Sequence, residues 1–293
     1  MVGRRSKRWS RRALLAAGSL PLVSACAHSS SPIKILDPLA ALTEAQRGHS
    51  LGQQRATMVE KIRGDVRAAA PSADTPALEK ALSIVAMLPR EEFVQSKGRN
   101  AAYIDVPQQI GYGQTISDPY VVSVMTAALD LGTDATVLDV GTGSGYQAAV
   151  LARIAKRVFS IEIVDPLAKS AADRLRRLGF SNVQVRAGDG FLGWPENAPF
   201  DGIIVAASAP TVPAPLIAQL KIGGRIIMPI GATDTSTQLL RMTKKADGTL
   251  DRCSLGGAFF VPLTGAHTPP FSRYGLFDRS IPLCFGTPIV WVF

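Results

Sequence analysis

Three glycines lie between an apolar run and the start of a predicted helix. Gly141, Gly143 and Gly145 belong to the segment VLDVGTGSGYQ, residues 137–147. Glycine permits a tight turn, lets the backbone approach a ligand closely and leaves N–H groups free at the start of a helix. An ordinary turn would use the same residues. Tyr146 stands where a dinucleotide fingerprint needs a small residue, and the sequence contains no GxxxxGK[ST] phosphate loop.

Acidic residues follow at the ends of the next two predicted strands. Glu162 lies 21 residues after Gly141, where a carboxylate can accept hydrogen bonds from ribose hydroxyls. A solvated charge at a strand end is the alternative. Asp189 and Gly190 follow the third strand of this series. Because the carboxyl ends of parallel strands share one edge of a sheet, these features predict a single ligand-binding crevice.

The elements that must position these residues alternate between strands and helices. This order predicts an α/β fold with a doubly wound, mostly parallel sheet, preceded by an N-terminal helical segment. Thr75 is a predicted N-cap with Pro76 at the first helical position, and Asp118-Pro119 starts a further helix. Strands are predicted at residues 136–140, 158–163, 183–186, 200–206, 225–229, 238–243 and 257–261, and residues 98–117 are predicted to form a long functional loop.

The order of motifs resembles class I S-adenosylmethionine-dependent methyltransferases, a Rossmann-like fold. It comprises VLDVGTGSGYQ, SIEI, GDG, APFDGIIVAASAP and GGRIIMPIG. Further motifs are similar to those of protein-L-isoaspartate O-methyltransferases, namely LPREEFV, AAYIDVP, IGYGQTISDPYVV and FFVPLTG. The resemblance covers roughly residues 76–265, and GQTIS is its most specific element.

The resemblance implies methyl transfer from S-adenosyl-L-methionine to the free carboxylate of L-isoaspartyl residues in damaged proteins or peptides. The methyl ester then starts repair through a succinimide. The implied active-site residue is Ser117, beside Thr115 and Gln114. The residues implied to bind the cofactor are Asp139 at its amino group, Gly141, Thr142, Gly143 and Gly145 under its methionine moiety, Glu162 at its ribose, and Asp189 and Gly190 at its adenine.

The chemistry of the residues agrees with this expectation. A carboxylate with a reference pKa of about 4 is ionised at neutral pH, so it needs no general base. Ser117 can orient such a group without neutralising it, and no His/Asp pattern accompanies it to make it a nucleophile. A helix N-cap is the alternative role for Ser117.

Two alternatives remain open. Gln108 and Gln109 replace apolar residues common in the family on the substrate-side loop, which favours a methyltransferase for another carboxylate or a small molecule. The N-terminal segment and the apolar end of the chain suggest instead an envelope lipoprotein that binds damaged chains without catalysis.

Much of the positive charge lies at the N-terminus. The net charge is +9, but the first 25 residues contain six basic residues and no acid, so the rest has 26 basic against 23 acidic residues. Nucleic acid is therefore not an expected partner. A basic stretch, 13 apolar or small residues and the segment VSAC resemble a twin-arginine signal followed by a lipobox with Cys26 as the lipidated residue. A basic amphipathic helix or a misassigned start is the alternative.

Four segments are predicted. Residues 1–25 form a signal peptide, 26–75 a tether and helical extension, 76–265 the catalytic domain and 266–293 a C-terminal extension of unknown role. The composition, with 46% hydrophobic and 19% charged residues, is globular and excludes a mostly disordered or coiled-coil chain. The expected location is the bacterial envelope, with membrane contact only through the lipid anchor; the cytoplasm, usual for the family, is the alternative.

The three cysteines and three histidines form no metal-ligand pattern, so no metal site is expected. Cys253 and Cys284 either pair in an oxidising compartment or remain two thiols. The oligomeric state is not predicted.

Overall fold

The computed structural model describes residues 48–231, 237–267 and 278–291. The predicted signal segment and Cys26 lie outside these residues. The described part contains six α-helices: α1 (Leu51–Ala69), α2 (Pro76–Met87), α3 (Pro119–Leu129), α4 (Tyr146–Ala152), α5 (Asp165–Arg177) and α6 (Ala214–Ala218). It contains ten strands: β1 (Gln108–Gly111), β2 (Gln114–Ile116), β3 (Thr136–Val140), β4 (Arg157–Glu162), β5 (Val183–Ala187), β6 (Phe200–Val205), β7 (Leu220–Ile230), β8 (Thr237–Lys244), β9 (Leu250–Ala258) and β10 (Val290–Trp291).

Eight strands form one sheet in the order β10-β9-β8-β7-β6-β3-β4-β5. Neighbouring strands in the run β7-β6-β3-β4-β5 are parallel, and so are β9 and β10. Strand β8 is antiparallel to both of its neighbours, β7 and β9. Strand β3 is buried along its whole length, and its apolar residues Val137, Leu138 and Val140 face both layers of the fold. The predicted α/β architecture with a mostly parallel sheet is confirmed.

The two faces of the sheet carry separate apolar cores. Val137 points into a core shared with α1 to α5, and its neighbour Leu138 points into a core covered by α6 and by the segment around Phe191 and Trp194. This alternation follows from the two-residue repeat of a strand. Because both faces are covered, the edge of the sheet is left for binding.

Two predicted helix starts are confirmed in detail. The Thr75 side chain accepts a hydrogen bond from Leu78 N–H at 3.2 Å, with Pro76 at the first helical position. The Asp118 side chain accepts from Val121 N–H at 2.7 Å at the start of α3. Asp118 is therefore the N-cap, and the alternative that Ser117 caps this helix is wrong.

Two sequence-based assignments are corrected. The segment 98–117 is not an irregular loop throughout, because it contains a 3-10 turn at 96–101 and the antiparallel β1–β2 hairpin. Its tip needs positive φ angles, which glycines supply on either side of Tyr112. The last predicted strand, 257–261, is instead the end of β9, which begins at Leu250.

The C-terminal segment returns across the molecule to the N-terminal helix. Ser72 Oγ donates to the Phe285 carbonyl and Thr287 Oγ1 donates to the Ala69 carbonyl, each at 2.8 Å. The Tyr120 hydroxyl donates to the Ile289 carbonyl. The segment then adds β10 to the edge of the sheet beside β9, so α1, the turn after it, α3 and β9 all hold it in place.

A disulfide joins this segment to β9. Cys253 and Cys284 are bonded, and they are separated by 31 residues in sequence. Of the two possibilities left open by the sequence, the structure has the paired form. Among the described residues, no helix combines the length and apolar character needed to cross a membrane.

Removal of the disulfide is expected to destabilise the protein. Closing a loop of this length limits the unfolded chain, so the double variant Cys253→Ser, Cys284→Ser should lose about 2–4 kcal/mol of unfolding free energy. Denaturant titration of both proteins measures this difference. A reductant should shift the midpoint of the wild type and leave that of the double variant unchanged; equal midpoints for the two proteins would contradict the expectation.

Candidate active site

The candidate cleft lies at the carboxyl end of β3, where the strand order reverses. The chain runs from β3 outward to β4 and β5, then returns to place β6 on the other side of β3. Ligands of doubly wound sheets bind at such a switch point. The cleft is lined by Gln114, Thr115, Val140, Gly141, Gly143, Ile161, Glu162, Ile163, Gly190, Ala206, Ala207 and residues 261–264.

The glycine loop connects β3 to α4 along the floor of this cleft. Gly143 has a φ of 52° and Gly145 a φ of 89°, both in the left-handed region. A Cβ atom at Gly143 would lie 3.1 Å from the Ile110 side chain, and one at Gly145 would lie 3.2 Å from Leu175. Glycine is therefore required by both backbone conformation and close packing. The predicted role of these glycines in a close backbone turn fits this geometry.

Glu162 stands at the end of β4 with its carboxylate directed to the loop. Its Oε2 accepts from Gly143 N–H at 2.7 Å, and its Oε1 accepts from Val164 N–H at 2.9 Å. The side chain is buried yet lines the cleft. Each carboxylate oxygen can accept a second hydrogen bond, so Glu162 can hold the loop and still receive a hydroxyl group.

Asp139 lies beneath the loop and is not part of the cleft lining. Ser160 Oγ donates to Asp139 Oδ2 at 2.7 Å, and the hydroxyls of Ser160 and Thr142 are 2.5 Å apart. Asp139 Oδ1 is buried without a hydrogen-bond partner among the described residues. Burial, the largest cause, raises the pKa of Asp139 to about 7, and nearby Glu162 adds to the effect.

Asp189 and Gly190 lie at the end of β5, beside the loop. Asp189 Oδ1 accepts from Phe191 N–H at 2.9 Å, and its Oδ2 lies 2.9 Å from His267 Nδ1. The His267 ring stacks on Phe191, with centroids 6.3 Å apart. Gly190 lines the cleft, and a Cβ there would lie 2.4 Å from the Val140 side chain. His267 carried no sequence feature that marked it for this place.

The β1–β2 hairpin forms the opposite wall. Gln114 and Thr115 line the cleft, while Ile110 packs on Gly143. Ser117 follows β2 and is half-buried. Ser117 itself is not among the cleft-lining residues, but the two residues predicted to act beside it are. The structure thus brings Gln114 and Thr115 together with Gly141, Gly143, Glu162 and Gly190.

A buried arginine fixes the loop that carries Ser117. Arg90 Nη2 donates to the Ser117 carbonyl at 2.7 Å, and its Nε donates to the Ala102 carbonyl at 2.9 Å. Its guanidinium lies 4.8 Å from the centroid of the Tyr146 ring, at the start of α4. Burial lowers the pKa of Arg90 below its usual range. Arg90 lies in the motif LPREEFV, but the sequence did not indicate this contact.

Gln108 does not face the substrate side. It is buried, and its Nε2 donates to the Ala101 carbonyl at 2.7 Å. Gln108 therefore holds the preceding turn, and this part of the case for a different substrate is wrong. Gln109 is exposed on the same strand.

These residues fit S-adenosylmethionine. Gly141 and Gly143 bring backbone to the cleft surface beside the Glu162 carboxylate, and Asp139 Oδ1 is a buried acceptor without a described partner beneath the loop. Within the described residues, no group of three or more His, Cys, Asp or Glu side chains could hold a metal ion.

Comparison with known proteins adds an independent line of support. The model of the protein-L-isoaspartate(D-aspartate) O-methyltransferase family matches residues 73–268. Protein-L-isoaspartate O-methyltransferase 2 of Syntrophobacter fumaroxidans is 50% identical over 217 residues, which cover 74% of this chain and 88% of the relative. Its namesake from a Polaromonas species is 47% identical over 209 residues, which cover 71% of this chain and 99% of the relative.

Solved structures agree with the fold. A protein-L-isoaspartate O-methyltransferase superposes with a TM-score of 0.62 at 26% identity, covering 72% of this chain and 66% of that one. A Plasmodium falciparum structure in complex with S-adenosyl-L-homocysteine has a TM-score of 0.58 at 24% identity, covering 71% of this chain and 97% of that one. With its glycine loop, its acidic strand ends and a family match over two thirds of its length, the chain belongs to the protein-L-isoaspartate O-methyltransferase family.

Proposed function

We propose that the protein methylates the free carboxylate of L-isoaspartyl residues in damaged proteins and peptides, with S-adenosylmethionine as its cofactor. The observation that carries this proposal is the meeting of two motifs in one cleft. Gln114 and Thr115 of GQTIS line the same space as Gly141 and Glu162 of the predicted cofactor site.

When bound, S-adenosylmethionine supplies a methyl group on a positively charged sulfur. Glu162 would hold the ribose through its hydroxyls while it retains the Gly143 N–H. Gly190 and the carboxylate of Asp189 would hold the adenine. Asp139 supports the loop from beneath through Ser160 and Thr142, and the loop would carry its effect to the amino group of the cofactor.

The remaining chemistry is positioning. The substrate carboxylate is ionised at neutral pH, with a reference pKa of about 4, so no side chain has to remove a proton. The Ser117 hydroxyl orients this carboxylate, and the hairpin excludes water from one side of it. Arg90 is a positioning residue, because it holds the Ser117 backbone and not the substrate.

The product leaves the site as a methyl ester. The neighbouring backbone nitrogen then attacks the ester carbonyl, methanol departs and a succinimide forms. Hydrolysis of that ring returns part of the damaged residue to normal aspartate. The enzyme therefore speeds succinimide formation, because the methoxy group of the ester leaves more readily than an oxygen of the free carboxylate.

The location is a separate inference. We infer that the protein is exported and held in the bacterial envelope by a lipid on Cys26. The basic and apolar N-terminal pattern supports this, and so does the Cys253–Cys284 disulfide, since disulfides persist mainly in oxidising compartments. The cofactor is made in the cytoplasm, so one molecule exported within the folded enzyme supports one turnover.

The substrate assignment is tested with paired peptides. In the presence of methyl-labelled cofactor, the protein should label an isoaspartyl peptide and leave its aspartyl counterpart unlabelled. Ser117→Ala should lower kcat/KM by about tenfold or more, the effect of losing one hydrogen bond to a charged group, with unchanged cofactor affinity. Equal labelling of both peptides would favour another carboxylate substrate, and cofactor binding without any labelling would reject the proposal.

The role of Glu162 is tested by cofactor affinity. Glu162→Ala removes the ribose acceptor and the partner of Gly143 N–H, so binding should weaken by about 1–3 kcal/mol. Calorimetric titration with S-adenosylmethionine measures this change in binding free energy. Glu196→Ala, at an exposed glutamate outside the cleft lining, is the matched control and should bind as the wild type does. An unchanged dissociation constant for Glu162→Ala would remove this residue from the site.

The anchor is tested by fractionation and mass determination. The wild-type protein should sediment with membranes and begin at a lipidated Cys26, and Cys26→Ser should leave the membrane fraction because it cannot accept the lipid. A wild-type protein that is already soluble and retains Met1 would contradict the export inference.

A further inference from the structure

A second cavity lies away from the cofactor cleft, between the helical face of the sheet and the C-terminal segment. Its volume is about 250 Å³. None of its lining residues lines the cleft. Its apolar wall is formed by Val66, Leu78, Val124, Ala128, Phe285 and Ile289.

This cavity depends on parts of the chain that lie outside the family match. Val66 belongs to α1, and Phe285 and Ile289 belong to the C-terminal segment, whereas the family model matches only residues 73–268. The disulfide at Cys284 and the bond from Ser72 to the Phe285 carbonyl hold this wall in place. The methyltransferase core supplies most of the cavity lining, and this chain's extensions complete it.

Two arginines enter the cavity from neighbouring strands. In the β7–β8 register, Arg225 pairs with Thr243 and Ile227 pairs with Arg241, so the two guanidinium groups rise from diagonal positions on one face. Arg225 is satisfied, because its Nη1 lies 3.2 Å from Asp130 Oδ2 and also reaches the Ala128 and Leu129 carbonyls.

Arg241 lacks such a partner. Its side chain makes no hydrogen bond or ion pair within the described part of the chain, and its guanidinium lies 5.8 Å from the centroid of the Phe285 ring. Burial and the nearby Arg225 charge lower the pKa of Arg241 below its usual range. A half-buried cation without a hydrogen-bonded partner is unfavourable, and an anion bound beside it would remove that cost.

We propose that this cavity binds a small amphipathic carboxylate, with its acid group on Arg241 and its apolar body against Leu78, Val124 and Ile289. Charge complementarity selects the acid group, since two arginines line the cavity and its one lining carboxylate, Asp130, is paired with Arg225. The cavity volume limits the size of the apolar part of the ligand. A cavity of about 150 Å³ can hold benzene, so 250 Å³ suits a ligand of about ten non-hydrogen atoms. Octanoate has this size and charge.

Titration calorimetry of the full chain with octanoate tests the site. Saturable binding is expected, with a dissociation constant at least about tenfold lower than for octan-1-ol, because the alcohol lacks the charge that Arg241 recognises. Arg241→Gln should weaken octanoate binding by a similar factor. Arg252→Gln, at an exposed arginine on β9 that does not line the cavity, should bind octanoate as the wild type does.

A second variant separates loss of the site from loss of folding. Ala128→Leu adds three carbon atoms to the cavity and keeps Arg241, so it should abolish octanoate binding. Each variant should bind S-adenosylmethionine with the wild-type affinity, which shows that the core is folded. Absence of saturable octanoate binding to the wild type, equal affinity for octanoate and octan-1-ol, or unchanged octanoate affinity in Arg241→Gln would each overturn the proposal.

Discussion

The cleft depends on one buried carboxylate at the end of β4. Glu162 accepts from Gly143 N–H at 2.7 Å and from Val164 N–H at 2.9 Å, so it joins the glycine loop to the start of the next helix. Hydrogen bonds to a charged acceptor are stronger than neutral ones, and in a buried position they are protected from water. The residue proposed to receive the ribose therefore also sets the shape of the loop on which the cofactor lies. Loss of Glu162 affects the ligand contact and the loop geometry together.

A second buried charge, Arg90, contacts both the substrate-side loop and the start of the helix after the glycine loop. Arg90 bonds to the Ser117 carbonyl on the substrate side, and its guanidinium lies against the Tyr146 ring, directly after the glycine loop. Burial of a guanidinium is costly, and here two carbonyl acceptors and one aromatic face offset part of that cost, while Nη1 is buried without a described partner. A shared anchor of this kind keeps the acceptor loop and the donor loop in a fixed relation. In-line methyl transfer needs that relation, since small errors in position are costly in rate.

The sequence predicts those features whose causes are local. Thr75 and Asp118 cap helices because a side-chain oxygen within three residues of a free N–H is sufficient, and the glycine loop follows from a need for positive φ. The sequence does not predict contacts between distant segments. Asp189 meets His267 across 78 residues, and Arg90 reaches Ser117 across 27, with no periodicity to reveal either contact. Gln108 illustrates the same limit, because its position in a motif suggested the substrate side and its hydrogen bond to Ala101 turned it inward.

The C-terminal segment lies outside the family match, yet it contacts the helix that follows the substrate-side loop. The Ile289 carbonyl of this segment accepts a hydrogen bond from the Tyr120 hydroxyl. Tyr120 lies three residues after Ser117, at the start of α3. The same segment is bonded to β9 by Cys284 and to α1 by Thr287. A covalent constraint on this segment therefore limits the motion of the helix that follows the substrate-side loop. Disulfide formation needs an oxidising compartment, so an exported enzyme has this constraint and an enzyme retained in the cytoplasm would lack it. The location of the protein and the rigidity of its substrate loop are thus physically coupled, and the disulfide is the link between them.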